Sequence, residues 1–164
     1  MNNFYKIVKG ELKMEKKKFE DKTIESEILK NIKEAIEKIE KKFYNIISVN
    51  CGERIRERVF CYELYHQLRL IKFDCKFDIH GELDKSGFYD VDVIPDFLFH
   101  KQGTDENYCI MEVKGEIRSN GICKDFNTLS KFLVEQKEIK AYRLAIFLLF
   151  NHSLEVFISF LKRN

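Results

Sequence analysis

Near its end the chain reads YRLAIFLLF, from Tyr142 to Phe150, an apolar run of strand length with no polar residue after Arg143. A strand with one wet face alternates apolar and polar residues, and a strand that does not alternate is covered on both faces. The run therefore asks for a central sheet flanked by helices. The rest of the chain must supply the covering layers.

Two helical stretches precede it. From Thr23 to Ile47 the apolar residues Ile24, Ile28, Ile32, Ile36, Ile39, Phe43 and Ile46 or Ile47 recur in steps of three and four, the stripe of an amphipathic helix. Thr23 is its expected N-cap. The stripe can pack on its own domain, the preferred reading, or on a second copy. Val49 to Gly52 breaks the pattern. Glu53 to Leu70 resumes it, rich in helix formers and free of Gly and Pro, with Ile55, Val59, Phe60 and Tyr62 on the packing side.

The period then changes to two. Phe73, Cys75, Phe77 and Ile79 alternate with charged residues between Ile71 and Ile79, a half-buried strand. Turn residues from Gly81 to Gly87 lead to strands over Val91–Phe99 and Tyr108–Val113. The polar Lys101–Asn107 turn between them implies antiparallel pairing. After a Gly115–Gly121 loop, Phe126, Leu129, Phe132, Leu133 and Ile139 predict a helix over Lys124–Glu138. The Tyr142–Phe150 strand follows, then a turn and a last strand over Leu154–Phe160. The expected class is α/β (α+β), one domain over residues 23–164, with the Lys- and Glu-rich Met1–Lys22 as a flexible leader.

Composition narrows the setting without naming a substrate. In 164 residues, 45% are apolar and 13% aromatic, enough for a real core, so wholesale disorder is excluded. The 29 basic and 27 acidic residues nearly cancel, leaving +2, so only clustering of Lys and Arg on one face could mark a polyanion site. Cys51, Cys61, Cys75, Cys109 and Cys123 form no CxxC pair, which fits reduced thiols, most of them small core residues. No run approaches a signal sequence or a membrane span. A soluble, cytoplasmic protein with no membrane partner is expected.

Chemistry concentrates in two places. Successive strand residues point to opposite faces, so in CIMEVKG Glu112 and Lys114 share a face while Val113 takes the other. Charges in an apolar strand cost desolvation unless they are paired or bind something. For these two alone, an edge strand whose charges reach water is an equal explanation. Asp96 adds weight, because it interrupts VIPDFLF beside Pro95, a residue suited to an edge or bulge. If the two strands pair, Asp96 lies near Glu112, and two close carboxylates repel unless a cation sits between them. Mg²⁺ prefers such hard oxygen ligands. Asp96 and Glu112 would hold it, with the Val113 backbone carbonyl a further candidate ligand. Lys114 would orient a water and stabilise charge developing on phosphorus.

The set Pro95, Asp96, Glu112, Val113 and Lys114, IPD followed by EVK, resembles the active-site motif of the PD-(D/E)XK nuclease superfamily, the restriction-endonuclease-like fold. The expected helix, three strands, helix and strand over about Glu53–Phe150 are similar to its αβββαβ core, with the N-terminal helix and last strand as additions. The resemblance implies a Mg²⁺-dependent nuclease, with Mn²⁺ able to substitute, acting on nucleic acid and foremost on DNA, in restriction-like defence or repair. It also implies an acidic residue on the helix before the first core strand. Of Glu57 and Glu63, Glu63 is the choice, one turn after Val59 and Phe60 on the packing side, with a salt bridge to Arg58 or Arg69 as the alternative. His66 could orient Glu63, and Glu82 is explained more simply by its turn. Arg54, Arg56, Arg58, Lys85, Arg118, Lys124 and Lys131 are the basic residues available to phosphate. A homodimer through the Ile24–Ile47 stripe is expected for cutting both strands of a duplex. The competing readings are a catalytically inactive nuclease-fold binding module, and an unrelated α/β domain with an exposed strand end.

Overall fold

The computed structural model describes residues 6–9, 20–73, 77–83, 94–116, 119–134 and 140–150. The chain opens with strand β1 (Lys6–Lys9) and helix α1 (Glu20–Glu37), then a short helix α2 (Lys41–Tyr44). A hairpin of β2 (Asn45–Ser48) and β3 (Gly52–Ile55) leads directly into helix α3 (Glu57–Leu70). Strands β4 (Asp78–Gly81), β5 (Phe97–His100) and β6 (Asn107–Lys114) follow, then helix α4 (Ser119–Phe132) and strand β7 (Leu144–Leu149). The protein is a mixed α/β fold. Its five-stranded sheet runs β1-β7-β6-β5-β4, and β2-β3 stands apart as a two-stranded ribbon.

The sheet is mixed because its connections differ in length. The Lys101–Asn107 turn lets β5 and β6 pair antiparallel, as expected, whereas α4 intervenes between β6 and β7 and returns the chain parallel. β7 is buried throughout, as its unbroken apolar run requires. The pleat divides its side chains cleanly. Phe97, Phe99, Met111, Val113, Ile146 and Leu148 face the layer holding Ile28, Ile32, Phe60 and Leu64 of α1 and α3. Leu98, Ile110, Ala145, Phe147 and Leu149 face Ile122, Leu129 and Phe132 of α4. Each face of the sheet therefore has its own helical cover.

Several expectations change. The long N-terminal helix ends at Glu37, so Thr23 lies inside α1 rather than capping it, and Ile46 and Ile47 belong to β2. Of the Ile stripe, Ile28, Ile32, Ile36 and Ile39 are buried in this chain's own core, whereas Phe43, Ile46 and Ile47 are exposed. Residues 53–55 form a strand instead of the first turn of α3. Lys6–Lys9, placed in the expected flexible leader, pairs antiparallel with β7 at the sheet edge. The described parts of the next two strands are shorter than expected, and residues 74–76 and 91–93 lie outside the described residues. α4 starts earlier than Lys124, residues 135–139 fall outside the described residues, and so does the expected Leu154–Phe160 strand. Among the described cysteines, Cys61 and Cys109 are buried while Cys51 and Cys123 are exposed. No described helix is long and apolar enough to cross a membrane.

Candidate active site

The last antiparallel pair between β5 and β6 joins Phe97 to Met111. Beyond it β6 runs on for three more residues, Glu112, Val113 and Lys114, while Asp96 precedes the first residue of β5. There the ladder is completed by a side chain. The Val113 N–H donates to Asp96 Oδ2 at 2.7 Å, so the carboxylate takes over the position of a backbone acceptor. Pro95, itself buried, precedes this break, in keeping with its missing N–H.

Asp96 and Glu112 lie side by side and hydrogen-bond to each other. Glu112 is buried, and burial raises its carboxyl well above the usual range, with the charges of Asp96 and Asp125 adding to the effect. Burial likewise raises Asp96, against the Val113 N–H, which favours the ionised form. A buried and a half-buried carboxyl in contact hold a proton between them when no cation is present.

Lys114 stands on the same face, one pleat further along. Its Nζ lies 3.1 Å from Asp125 Oδ2 of α4 and 3.3 Å from Glu57 Oε1 at the start of α3. Burial alone would lower the ammonium, but the two carboxylates outweigh it and hold the group above its ordinary range. The second oxygen of Glu57 accepts the Gly115 N–H at 2.9 Å, so the first turn of α3 is fastened to the end of β6. Gly115 is needed here, because a Cβ would come within 2.7 Å of the Phe150 ring and 2.9 Å of Ile55 Cγ2.

The expected residues are therefore brought together in three cases of four. Asp96, Glu112 and Lys114 converge at one end of β6, at the carboxyl ends of the parallel β6–β7 pair. Glu63 instead accepts a hydrogen bond from Gln67 one turn along its own helix at 2.7 Å, and the α3 carboxylate that reaches the cluster is Glu57. Arg58 pairs with Glu82, whose own N–H donates to the Asp96 carbonyl. His66 is exposed. Lys85 and Arg118 lie outside the described residues. Asp125 went unnoticed in the sequence, although a signal was there: it sits on the Ile122, Leu129, Phe132 stripe of α4, where a carboxylate needs a partner.

Comparison with known proteins gives no match: no family model, no curated protein and no solved structure is similar enough to assign this chain. The site has to be read from its own chemistry. Among the described residues no three or more His, Cys, Asp and Glu side chains are grouped as a metal centre. The donor set for a cation is thus two carboxylates, with backbone oxygen, water and substrate completing it. That set suits Mg²⁺, which commonly takes one or two carboxylates and keeps several waters, and does not suit a closed zinc site.

Proposed function

We propose that this protein is a Mg²⁺-dependent phosphodiesterase of the restriction-endonuclease-like type, acting on nucleic acid and foremost on DNA. The observation that carries the reading is the contact of half-buried Asp96 with buried Glu112, with Lys114 on the same strand face. Two carboxyls placed side by side away from bulk water are costly unless they share a proton or bind a cation. A divalent cation in place of their shared proton would relieve the repulsion, and the raised proton affinities are what such a site has before it is loaded. Order along the chain, with α3, β4, β5, β6, α4 and β7 in turn, is consistent with the αβββαβ core that the motif resembles.

Asp96 and Glu112 would hold the ion. In an extended strand the N–H and C=O of one residue point to the same neighbour, so the Val113 carbonyl lies toward Asp96 and can serve as a further oxygen donor. When bound, Mg²⁺ supplies Lewis-acid polarisation of the phosphodiester. Lys114, fixed by Glu57 and Asp125, would orient the attacking water and stabilise negative charge gathering on the phosphoryl oxygens. Neither carboxylate touching Lys114 need be a ligand. Their task is to keep the ammonium charged and in place.

The reading is tested with purified full-length protein and plasmid, linear and nicked DNA in Mg²⁺ or Mn²⁺. Cleavage that disappears in Asp96→Asn, Glu112→Gln and Lys114→Ala is the expected result. Cleavage that survives these changes overturns the assignment. Metal-dependent DNA binding without turnover in the wild type would favour a binding module on the same fold.

A further inference from the structure

Among the described residues the ribbon formed by β2 and β3 pairs with no other strand, and on the β3 side Ile55 packs against Gly115. Its register places Asn45, Ile47, Glu53 and Ile55 on one face and Ile46, Arg54 and Ser48 on the other. On the first face Glu53 is engaged by Asn45 and Lys41. On the other, Arg54 is exposed, and so is Arg56 just beyond the strand. Arg54 and Arg56 form no ion pair among the described residues, whereas Arg58, Lys41 and Lys42 do. The turn carries apolar side chains into solvent, with Ile47 81% and Val49 fully exposed.

Position gives these features meaning. Arg56 lies between Ile55, which packs on Gly115, and Glu57, which bonds to Lys114 and to the Gly115 N–H. Arg56 is thus held, at its backbone, between two residues that touch the end of β6, and Arg54 stands two residues before it on the same exposed edge of the chain. A two-stranded ribbon is also of a width that the major groove of B-DNA, about 12 Å across, admits. Arginine forks suit phosphate oxygens, and exposed apolar tips suit sugar and base surfaces.

We infer that the β2–β3 hairpin is the arm that docks duplex DNA beside the centre, with Arg54 and Arg56 on backbone phosphates and the Ile47–Val49 tip in a groove. This rests on the reading of the centre as a nucleic-acid phosphodiesterase, and it adds how the substrate is held. Each phosphate neutralised steepens the dependence of binding on salt by about 0.9 in log–log slope, so two arginines contribute about 1.8.

The test is fluorescence anisotropy of a short labelled duplex with the full chain in EDTA, so that cleavage plays no part. The double change Arg54→Ala and Arg56→Ala is expected to weaken binding and flatten the salt slope by about 1.8. Ile47→Ser with Val49→Ser should weaken binding with the slope unchanged. Circular dichroism and thermal melting should show both variants folded, since all four side chains are exposed. An unchanged slope in the arginine variant overturns the inference. So does a wild type that binds single strands or another copy of itself through this surface and leaves duplex affinity untouched by either variant. Duplex binding through the hairpin without cleavage in Mg²⁺ or Mn²⁺ supports the arm and sinks the nuclease reading. Cleavage by a wild type whose affinity ignores the hairpin does the reverse.

Discussion

Lys114 Nζ sits 3.1 Å from Asp125 Oδ2, and this contact ties α4 to the strand that carries the buried Glu112. Asp125 is buried and Lys114 half-buried, and Lys114 keeps Glu57 as a second partner. Burial raises the Asp125 carboxyl in spite of Lys114, so Asp125→Asn removes a desolvation cost along with the attraction and is expected to shift stability by less than about 1 kcal/mol. Urea unfolding of the metal-free protein measures it. The same variant should cut more slowly with little change in KM, because the ammonium loses its fixed position.

Glu57 and Glu63 make a discriminating pair. Glu57→Gln should reduce cleavage by roughly ten- to a hundredfold, the usual effect of removing a group that orients a site residue. Glu63→Gln, which alters only a hydrogen bond to Gln67 on the same helix, should leave cleavage within a factor of two or so. Single-turnover assays on the two variants decide it, and equal losses would show that α3 contributes in another way.

The carboxyl pair makes a prediction about pH. Burial lifts Asp96 to about 6 and Glu112 to about 9, both above their unfolded values. A raised carboxyl binds its proton more tightly when folded, so its contribution is fully present below the unfolded value and is lost as pH rises through the folded one. The metal-free protein should thus lose stability from about pH 4 to about pH 9. Glu112→Gln should raise its Tm at pH 8 while abolishing Mn²⁺ binding by calorimetry. Conversely, Mn²⁺ affinity of the wild type should climb with pH until the shared proton has gone.

Gly115→Ala tests the packing behind the site. The new methyl would meet the Phe150 ring, which cannot easily yield because it stacks on Phe60 at 3.9 Å and meets Tyr44 edge-on. Overpacking of this kind costs about 1–3 kcal/mol. A lower Tm together with a loss of cleavage is expected. Unchanged values for both would mean that Ile55 and the ring adjust freely.

Elements set by local spacing are visible in the chain, and those set by distant neighbours are not. β6, β7 and α4 were legible because their periods are strong and local. The hairpin was not, because Phe43, Ile46 and Ile47 extend the three-four spacing of α1 across its real end, and nothing local reports that Ile47 would be exposed. Asp96, Glu112 and Lys114 stood out as charges inside apolar strands. Glu57 did not, since the helical face alone favours Glu63, and only the docking of α3 against Gly115 selects the first turn.

The cluster draws Glu57, Asp96, Glu112 and Asp125 from four separate segments, and Lys114 is gripped only once α3 and α4 have both settled on opposite sides of β6. Contacts so distant along the chain form slowly and last. A refolding chain would regain its secondary structure well before it could hold Lys114 in place, so recovery of activity should lag behind recovery of the circular dichroism signal. Enzymatic competence would then time the final docking step of this fold.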